Sequence, residues 1–443
     1  MARAQQTETL EQATIDRVYW RLIPLLFGMM FFNYLNRINV GYAALQMNQD
    51  LGFSPAVFGF GAGVFFIGYM LLEVPSNLML HRFGARLWLS RILVSWGAVA
   101  SATAFVSSPM SFYVLRFLLG VAEAGLMPGL ALYVTYWFPK RYRARAFAGY
   151  IIAGSFSAIL GAPLSTVLMT AADEVLGVDG WRWMFFAEGI PTMLLGCIAL
   201  VYLTDRPEHA SWLTPAQREW LVRELRVEEE AEGPEDHRLA ASFGDPRVWT
   251  LGSLFACALV GTYGLLMWLP QMLKGMGELS DIQVGLFSAL PPLLGVAGTL
   301  LISRNSDRTG ERKIHLAVVY GAAGAALLGS SVLASPAVAY ALLCVAAVGL
   351  SAGSVLAWSL NASLMTGPGR AVSIALVGSI AQIGGLVGPW LIGVVKDTTG
   401  SFSLALAVVS GFVSVAAVIA ATMRVGPSRS SAETQFATGP AAA

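Results

Sequence analysis

The stretch MMFFNYLNRINVGYAALQM, residues 29–47, places Arg37 in a short polar run between apolar and aromatic side chains. A guanidinium group keeps its positive charge near neutral pH, and burying that charge in an apolar segment is costly. An arginine inside a membrane span therefore marks a substrate path, a polar cavity or a buried ion pair. Whether this stretch is a membrane span depends on the composition of the chain around it.

The composition is typical of a helical membrane protein. Of the 443 residues, 56% are hydrophobic and only 12% are charged, whereas soluble proteins carry about 25% charged residues. Apolar segments of about 20 residues, the length that a helix needs to cross a bilayer, follow one another along the chain. We therefore expect an all-α protein with twelve membrane-spanning helices, at about residues 22–45, 55–80, 87–107, 110–137, 145–170, 183–203, 247–272, 282–303, 314–333, 335–360, 371–395 and 401–422.

Lysine and arginine are unevenly distributed between the two sides of the predicted membrane. Most of the 28 lie in the tails, in the central polar stretch or in loops of one parity, and the loops of the other parity carry few. The positive-inside rule then places both termini in the cytoplasm. A net charge of +1 offers no basic field for nucleic acid, and three isolated cysteines suggest neither disulfides nor a metal site.

The twelve segments form two groups of six, separated by a polar stretch. Within that stretch, Thr214, Pro215 and Gln217 have the spacing of a helix N-terminus with a capping box, and the linker as a whole is expected to be a tether between the two groups. The predicted organisation is a cytoplasmic N-terminal tail (1–21), an N-terminal six-helix bundle (22–203), a cytoplasmic linker (204–246), a C-terminal six-helix bundle (247–422) and a disordered cytoplasmic tail (423–443).

A short basic loop occurs at equivalent places in the two groups. It reads NLMLHRFGAR (residues 77–86) after the second segment and SRNSDRTGERK (residues 303–313) after the eighth. Aligning the two loops places Arg82 on Arg308, which indicates a duplicated six-helix unit. The loop resembles the signature loop of the major facilitator superfamily, a large family of membrane transporters.

Further stretches resemble the anion:cation symporter branch of that superfamily, namely YLNRINVGYAALQMNQDLGFS, RFLLGVAEAGLMPG, GWRWMFFAEGIP and GGLVGPWLIGVVKDTTGSF. The resemblance implies two pseudo-symmetric bundles in a bacterial inner membrane, acting as a monomer on organic anions such as tartrate, hexonates or phthalate. It also implies symport driven by the proton gradient, without a bound cofactor or metal. Two positions depart from the family pattern: His81 stands where an acid is usual, and Asn36 stands where Asp usually precedes Arg37.

The embedded charges of the first half are the main candidates for the substrate site. Arg37 is predicted to bind the substrate carboxylate, with Tyr34 and Asn36 beside it, because a guanidinium can hold a carboxylate through two parallel hydrogen bonds. The alternative is a structural ion pair with an acid on another span. Arg116 and Glu123 lie two helical turns apart and share one face of the fourth segment. Arg116 is predicted to help attract the anion, with a permanent Arg116–Glu123 pair as the alternative.

The resemblance assigns proton coupling to Glu123. Asn36 has no proton to exchange, so we expect fewer protons to move per substrate than in relatives that carry Asp at this position. Two further acids inside segments are predicted to have structural roles, Glu73 in packing or a gate and Glu188 in anchoring at the membrane interface.

The second half carries no lysine or arginine deep in its segments, so its share of the substrate site is expected to be polar and aromatic. The candidates are Tyr263, which corresponds to Arg37 in the repeat, together with Trp358, Asn361 and Gln382. The basic loops are predicted to gate the cytoplasmic side through His81, Arg82, Arg86, Asp307 and Arg308.

The sequence therefore predicts a proton-coupled importer of a small organic carboxylate that works by alternating access. Two alternatives stay open: an electroneutral organic-anion exchanger or exporter, and a carboxylate sensor that does not transport. An enzyme is not expected, because the chain lacks metal-ligand spacing, a nucleophile elbow and a phosphate-binding glycine-rich loop.

Overall fold

The computed structural model describes residues 2–232, 243–365 and 370–423. Within these ranges the regular secondary structure is helical, and twelve segments are long and apolar enough to cross a membrane, as the sequence predicts. A shorter linker helix, Pro215–Glu232, lies between the sixth and seventh. The spans, numbered 1 to 12 in chain order, are Ala2–Asp50, Pro55–Phe83, Ala85–Ala102, Pro109–Glu123 followed by Leu126–Trp137, Lys140–Ala171, Gly180–Tyr202, Pro246–Met276, Asp281–Thr309, Lys313–Val332, Pro336–Leu364, Arg370–Thr399 and Phe402–Thr422.

The contacts between helices repeat from one half of the chain to the other. Spans 1 and 5, 2 and 4, and 3 and 6 pack together in the first half, as spans 7 and 11, 8 and 10, and 9 and 12 do in the second. The two largest interfaces between the halves are those of span 2 with span 11 and of span 8 with span 5. These two interfaces are equivalent, because the repeat relates span 2 to span 8 and span 11 to span 5. The fold is therefore two pseudo-symmetric six-helix bundles, as the resemblance implies.

The duplication extends to individual turns, with equivalent residues 226 positions apart. Ser54 and Ser280 cap spans 2 and 8, each accepting a hydrogen bond from the backbone N–H three residues later. Gly84 and Gly310 end the same two spans with φ angles of 85° and 70°, a region that glycine reaches without strain. Each basic loop thus contains a glycine with a positive φ at the end of the preceding span, although the ψ angles differ, 154° at Gly84 and 0° at Gly310.

Glycine contacts join the halves on the side of the bundle opposite the linker, and two of them are related by the repeat. We call this side of the bundle the far side, and the other the linker side. Gly59 of span 2 packs on the backbone of Pro389 in span 11, and its equivalent, Gly285 of span 8, packs on Ala162 and Thr166 of span 5. A β-carbon at either glycine would overlap these neighbours. The close approach of the two helix pairs therefore depends on the absence of a side chain.

The buried core is continuous between the halves on the far side. Phe58 and Trp268 lie in one hydrophobic cluster that combines the far ends of the first-half spans with the second half, and their ring centroids are 5.0 Å apart. Asn48 of span 1 donates a hydrogen bond of 3.5 Å to Gln271 of span 7. The linker-side part of the first half instead packs in a separate cluster, together with the start of the linker helix. The protein is therefore closed on the far side.

The described part of the linker is docked on the first half. Thr214 and Gln217 form the predicted capping box, with hydrogen bonds of 3.2 and 3.3 Å. The carboxylate of Glu228 accepts hydrogen bonds of 3.0 Å from the backbone N–H of Lys140 at the start of span 5. An anionic side chain at a helix N-terminus is stabilised by the unpaired N–H groups there. The predicted tether is thus, in part, a docked helix.

The helix of span 1 extends beyond the predicted membrane-spanning segment. It begins at Ala2, whereas the segment is predicted from about residue 22, because residues 2–21 contain neither proline nor glycine and continue the helix without interruption. The predicted disordered tail, residues 423–443, lies outside the described residues apart from Met423. Residues 233–242 of the linker lie outside them as well.

The loops predicted to act as gates are each held within their own half. The hydroxyl of Tyr136 lies 3.4 Å from Nδ1 of His81, and Asp307 pairs with Arg312 at 3.8 Å. In the described part of the chain, no hydrogen bond or ion pair to the opposite half involves the predicted gate residues, which are His81, Arg82, Arg86, Asp307 and Arg308. These loops therefore do not latch the two halves together on the linker side in this structure.

Replacing Gly59 by alanine is expected to open the far side. The added β-carbon would overlap the carbonyl oxygen of Pro389, and such overpacking costs about 1–3 kcal/mol. That cost shifts a two-state equilibrium by about 5–150-fold. Spin-label distances between the far ends of spans 1 and 7 should lengthen. Gly411→Ala is the control, because nothing lies within 4 Å of its added carbon. An unchanged distance distribution in Gly59→Ala would contradict this account of the closure.

Candidate functional site

Arg37 lies in a buried cluster that joins three spans and both halves. The residue is 5% exposed, and its Nη2 pairs with the carboxylate of Glu123 on span 4. Its Nη1 donates a hydrogen bond of 3.1 Å to the hydroxyl of Tyr263 on span 7. Arg37 and Tyr263 are equivalent positions of the repeat, and equivalent residues that touch lie beside the pseudo-two-fold axis. The cluster is therefore at the centre of the interface between the halves.

Aromatic rings of span 2 surround the guanidinium of Arg37. Its Cζ lies 5.1 Å from the ring centroid of Phe65 and 5.3 Å from that of Tyr69. Phe66, the residue after Phe65 in span 2, packs edge-on against the ring of Tyr263, with ring centroids 4.6 Å apart. A desolvated cation–π contact contributes about 2 kcal/mol. The sequence-based prediction did not include these rings, although the four-residue spacing of Phe65 and Tyr69 places them on one helix face.

Arg116 is buried beside this cluster without a carboxylate partner among the described residues. It is 1% exposed. Its Nε and Nη2 donate hydrogen bonds of 3.4 and 3.3 Å to the carbonyl oxygens of Gly61 and Ala62 on span 2. Its Cζ lies 5.3 Å from the same Phe65 ring that faces Arg37. The structure thus pairs Glu123 with Arg37 and holds Arg116 through backbone carbonyls.

Span 4 is interrupted directly after Glu123, whereas the sequence predicts one continuous helix over residues 110–137. The first helix ends at Glu123, and the second begins at Leu126. Between them, Ala124 is extended and Gly125 has a φ of 88°, a left-handed conformation that costs about 1–2 kcal/mol for residues other than glycine. The position of the Glu123 carboxylate therefore depends on this turn.

Spans 2 and 4 approach each other closely at two glycines of span 4. A β-carbon on Gly120 would overlap the backbone carbonyl oxygen of Phe65 on span 2, and one on Gly125 would overlap the side chain of Ser76 on the same span. The two small residues bring the backbones of spans 2 and 4 together on both sides of Glu123. This approach places the aromatic rings of span 2 against the ion pair.

The other predicted residues of span 1 face neighbouring spans of the first half. Asn36 donates a hydrogen bond of 2.9 Å to Thr192 of span 6. The ring of Tyr34 packs against Gly154 of span 5. Asn33, one turn before Arg37, is 1% exposed, and neither of its amide atoms has a hydrogen-bond partner among the described residues. The amide of Asn33 is therefore available to a polar group of a substrate.

The predicted residues of the second half differ in their surroundings. Tyr263 belongs to the central cluster. Asn361 is fully buried, and its amide has no hydrogen-bond partner within the described ranges; the same holds for Oε1 of Gln382. Trp358 is 42% exposed and packs against Phe255, with ring centroids 4.6 Å apart and the ring planes tilted by 44°. Asn361 and Gln382 thus retain unused hydrogen-bonding capacity, whereas Trp358 is engaged in packing.

Glu73 lies on the linker side of the central cluster, where it is half-buried. It makes no ion pair within the part of the chain that the structure describes, and its backbone carbonyl accepts a hydrogen bond of 3.0 Å from the amide of Asn77. In that same part of the chain, no three His, Cys, Asp or Glu side chains cluster as metal ligands would.

Comparison with known proteins gives consistent matches. The family described as Major Facilitator Superfamily matches residues 26–389. Two proteins of Agrobacterium vitis named "Putative tartrate transporter" are each 42% identical, with 93% of this chain and 92% and 94% of those proteins covered. A "Quinolone resistance transporter" of Acinetobacter baumannii is 39% identical, over 79% of this chain and 81% of that protein.

Solved structures agree in fold. A bacterial homologue of the human lysosomal transporter Spinster, in an inward-facing and occupied conformation, superposes with a TM-score of 0.76. The superposition covers 90% of this chain and 95% of the other, at 16% sequence identity. At this identity the likeness concerns the fold alone.

Replacing Gly125 by alanine is expected to destabilise the protein and displace Glu123. The left-handed φ costs about 1–2 kcal/mol for alanine, and the added carbon would also overlap Ser76. The apparent Tm in detergent should fall. Gly52→Ala is the matched control, because Gly52 has a φ of 64° with nothing within 4 Å, so it carries the conformational cost alone. A Tm loss no larger in Gly125→Ala than in Gly52→Ala would show that packing against span 2 is unimportant.

Proposed function

This chain belongs to the major facilitator superfamily, and we propose that it carries a small organic carboxylate together with protons across the membrane by alternating access. The observation that carries the proposal is the charge of the buried site. Two guanidinium groups, those of Arg37 and Arg116, lie with one carboxylate, that of Glu123, so the site is one negative charge short. The relatives named for tartrate transport support a carboxylate as the missing anion.

Proton and substrate binding are linked through the Arg37–Glu123 pair. Removing one partner of a buried ion pair costs about 3–5 kcal/mol, because the other charge is left uncompensated. A substrate carboxylate can replace Glu123 at Arg37 without this cost if Glu123 takes up a proton at the same time. Oε2 of Glu123 makes no hydrogen bond among the described residues, so it is free to receive that proton. Each ligand therefore favours the binding of the other.

The hydrogen bond to Tyr263 connects this exchange to the second half. The Arg37–Glu123 pair contacts the second half through the hydrogen bond from Arg37 to Tyr263. A substrate that moves Arg37 therefore also changes this contact between the bundles. Asn361 and Gln382 of the second half can hydrogen-bond the hydroxyl or carbonyl groups of the substrate remote from its carboxylate. Loading the site would in this way alter the relative stability of the two conformations.

The proposed orientation has the linker side in the cytoplasm of a bacterial cell, with the monomer as the working unit. The excess of basic residues in the tails, the linker and the linker-side loops supports it. In this orientation the closed far side faces away from the cytoplasm. With an inward proton gradient, uptake is the favoured direction.

Two other functions are distinguished by transport measurements on the same protein. Exchange of internal for external acid without any response to a pH gradient would identify an electroneutral exchanger, and outward flux an exporter. The relative named for quinolone resistance favours including a quinolone, which carries a carboxylate, among the acids measured. Binding of an acid without flux in liposomes would identify a sensor.

Replacing Arg37 by alanine is expected to abolish carboxylate binding. Truncating one partner of a buried charge pair costs about 2–5 kcal/mol, or a loss of affinity of at least about 30-fold. Counterflow in liposomes should be measured with L-tartrate, a hexonate, phthalate and a quinolone. Arg37→Lys keeps the charge but loses the two parallel hydrogen bonds, so it should retain partial affinity. Unchanged affinity in Arg37→Ala would exclude Arg37 as the carboxylate site.

Replacing Glu123 by glutamine is expected to separate exchange from coupling. Glutamine resembles the protonated acid, so it leaves Arg37 free for the substrate at any pH. Counterflow of the transported acid should persist and lose its pH dependence, whereas a pH gradient should no longer drive accumulation. Wild-type protein in the same liposomes is the reference. Accumulation that still follows the pH gradient in Glu123→Gln would assign the coupling proton to another group.

Replacing Asn36 by aspartate is expected to raise the number of protons moved per substrate. An aspartate can exchange a proton where the amide of Asn36 cannot. Reversal potentials of wild type and Asn36→Asp, measured across a range of pH gradients, give the two stoichiometries. Equal stoichiometries would refute the assignment of a lower proton number to the asparagine.

A further inference from the structure

A second carboxyl group is buried in the first half, outside the central cluster. Glu188 of span 6 is 1% exposed. Its Oε1 accepts a hydrogen bond of 2.6 Å from Ser165 on span 5, and its Oε2 accepts one of 2.7 Å from Asn39 on span 1. The sequence predicts that Glu188 anchors span 6 at the membrane interface. In the structure its side chain is instead enclosed between three helices, spans 1, 5 and 6.

The charge of Glu188 is compensated by neutral donors only. No basic side chain pairs with it among the described residues, and Arg182, on the same span, is held by Asp179 at 2.8 Å. Asp50 accepts a hydrogen bond from the indole N–H of Trp181 in span 6. Asp173 accepts one from the backbone N–H of Gly180, the first residue of that span. The described ionisable groups on the spans packed around Glu188 are Glu11, Asp16, Arg17, Tyr19, Arg21, Tyr34, Arg37, Tyr42 and Asp50 on span 1, Arg86 and Arg91 on span 3, Lys140, Arg141, Tyr142, Arg143, Arg145 and Tyr150 on span 5 with Asp173 just after it, and Arg182, Cys197 and Tyr202 on span 6. Arg17 and Arg21 lie on the linker side, in the first half of span 1.

The basic groups among these lie away from Glu188. Gly189, the next residue, packs against Ser101 at the far end of span 3, about ten residues beyond Arg91. The cationic residues of span 5 are at its linker-side start, and Arg37 is paired with Glu123. The surroundings of Glu188 therefore differ from those of Glu123, whose charge is balanced by a guanidinium group.

Both protonation states of Glu188 can be hydrogen-bonded in this pocket. The amide of Asn39 donates to one carboxyl oxygen in either state. The hydroxyl of Ser165 donates to the ionised group and accepts from the neutral one, because a hydroxyl has both a donor and acceptor sites. A proton can thus be gained or lost while each carboxyl oxygen of Glu188 keeps a hydrogen-bond partner.

The pocket lies behind the contact of Gly285, one of the glycine contacts between the halves on the far side. Gly285 of span 8 packs on Ala162 and Thr166 of span 5, which flank Ser165 on the same helix. Opening the far side separates spans 5 and 8 and exposes this part of span 5. Access of water to Glu188 is therefore controlled by the same closure that controls access to the central site.

A short path connects Glu188 to the central site. The hydroxyl of Thr192 donates a hydrogen bond of 3.0 Å to the backbone carbonyl of Glu188 and accepts one of 2.9 Å from Asn36. Asn36 directly precedes Arg37 in span 1. A change in the charge or position of Glu188 thus acts on the turn that holds Arg37.

We propose that Glu188 is a second proton-binding site, which exchanges its proton with the far side when the bundles open there and retains it when they close. The site contains one carboxyl group with Asn39 and Ser165 as its hydrogen-bond partners. Its use in coupling rests on the proposed transport function, whereas proton binding itself does not.

Infrared difference spectroscopy of the full chain in lipid vesicles tests proton binding without any substrate. A protonated carboxyl group has a carbonyl stretch that an ionised one lacks. As the pH is raised, wild type should lose a band that is absent from Glu188→Gln and present in Glu123→Gln. Ser165→Ala is the matched control, since it removes one hydrogen bond and keeps the acid. The band should shift in this variant rather than vanish.

The result that overturns the proposal is equally direct. A Glu188 band that stays unchanged across the pH range of the folded protein, or no band that depends on Glu188 at any pH, means that the group does not exchange protons. Because no substrate is present, this failure is distinct from a failure of carboxylate transport.

Exchange into heavy water tests the gate. The Glu188 band should shift to its deuterated position slowly in wild type. It should shift about 5–150-fold faster in Gly285→Ala, whose added carbon overlaps Thr166 and separates spans 5 and 8. Gly59→Ala, at the equivalent contact, gives an independent reading of the same opening. Equal exchange rates in wild type and both variants would contradict control by the far-side closure.

Discussion

The charge of Arg37 cannot be removed near neutral pH, and this constraint organises the centre of the molecule. A buried guanidinium needs a compensating anion, and here Glu123 supplies it from span 4 while Tyr263 and two rings of span 2 complete its surroundings. Any event that takes Glu123 away must bring another negative charge to Arg37. A transport cycle in which a proton neutralises Glu123 as a carboxylate arrives satisfies this requirement, and Arg116 adds a positive charge that a second anion would balance.

The precision of this arrangement depends on positions that carry no side chain. Gly120 and Gly125 bring span 4 against span 2 on both sides of Glu123, and the turn at Gly125 ends the helix there. Gly59 and Gly285 play the corresponding part between the halves, at symmetry-related contacts. These contacts are small, so no side chain of the glycines themselves has to move when the bundles separate, although the Phe58–Trp268 contact between the halves must part as well. In the proposed transport cycle, the pockets of both buried acids, Glu123 and Glu188, border surfaces that part.

Much of this organisation is present in local sequence patterns. Twelve apolar segments, the repeated basic loop and the capping box at Thr214 depend on composition and short spacing, and the structure confirms them. The offset between the loops also identified Tyr263 as the counterpart of Arg37, and the two are in contact. The interruption after Glu123 was not predictable in this way, because glycine is common within membrane helices. The burial of Glu188 between three spans, and the choice of Arg37 rather than Arg116 as the partner of Glu123, depend on packing between distant segments.

The most direct test of the exchange at Arg37 is the number of protons taken up when substrate binds. Isothermal titration calorimetry in buffers of different ionisation enthalpy gives this number for the purified protein, using the acid that it exchanges in liposomes, with L-tartrate first. If the carboxylate replaces Glu123 at Arg37, wild type takes up protons on binding, and Glu123→Gln binds the same acid with less uptake. Binding to wild type without any proton uptake would contradict the account, because the ion pair would then remain intact beside the substrate.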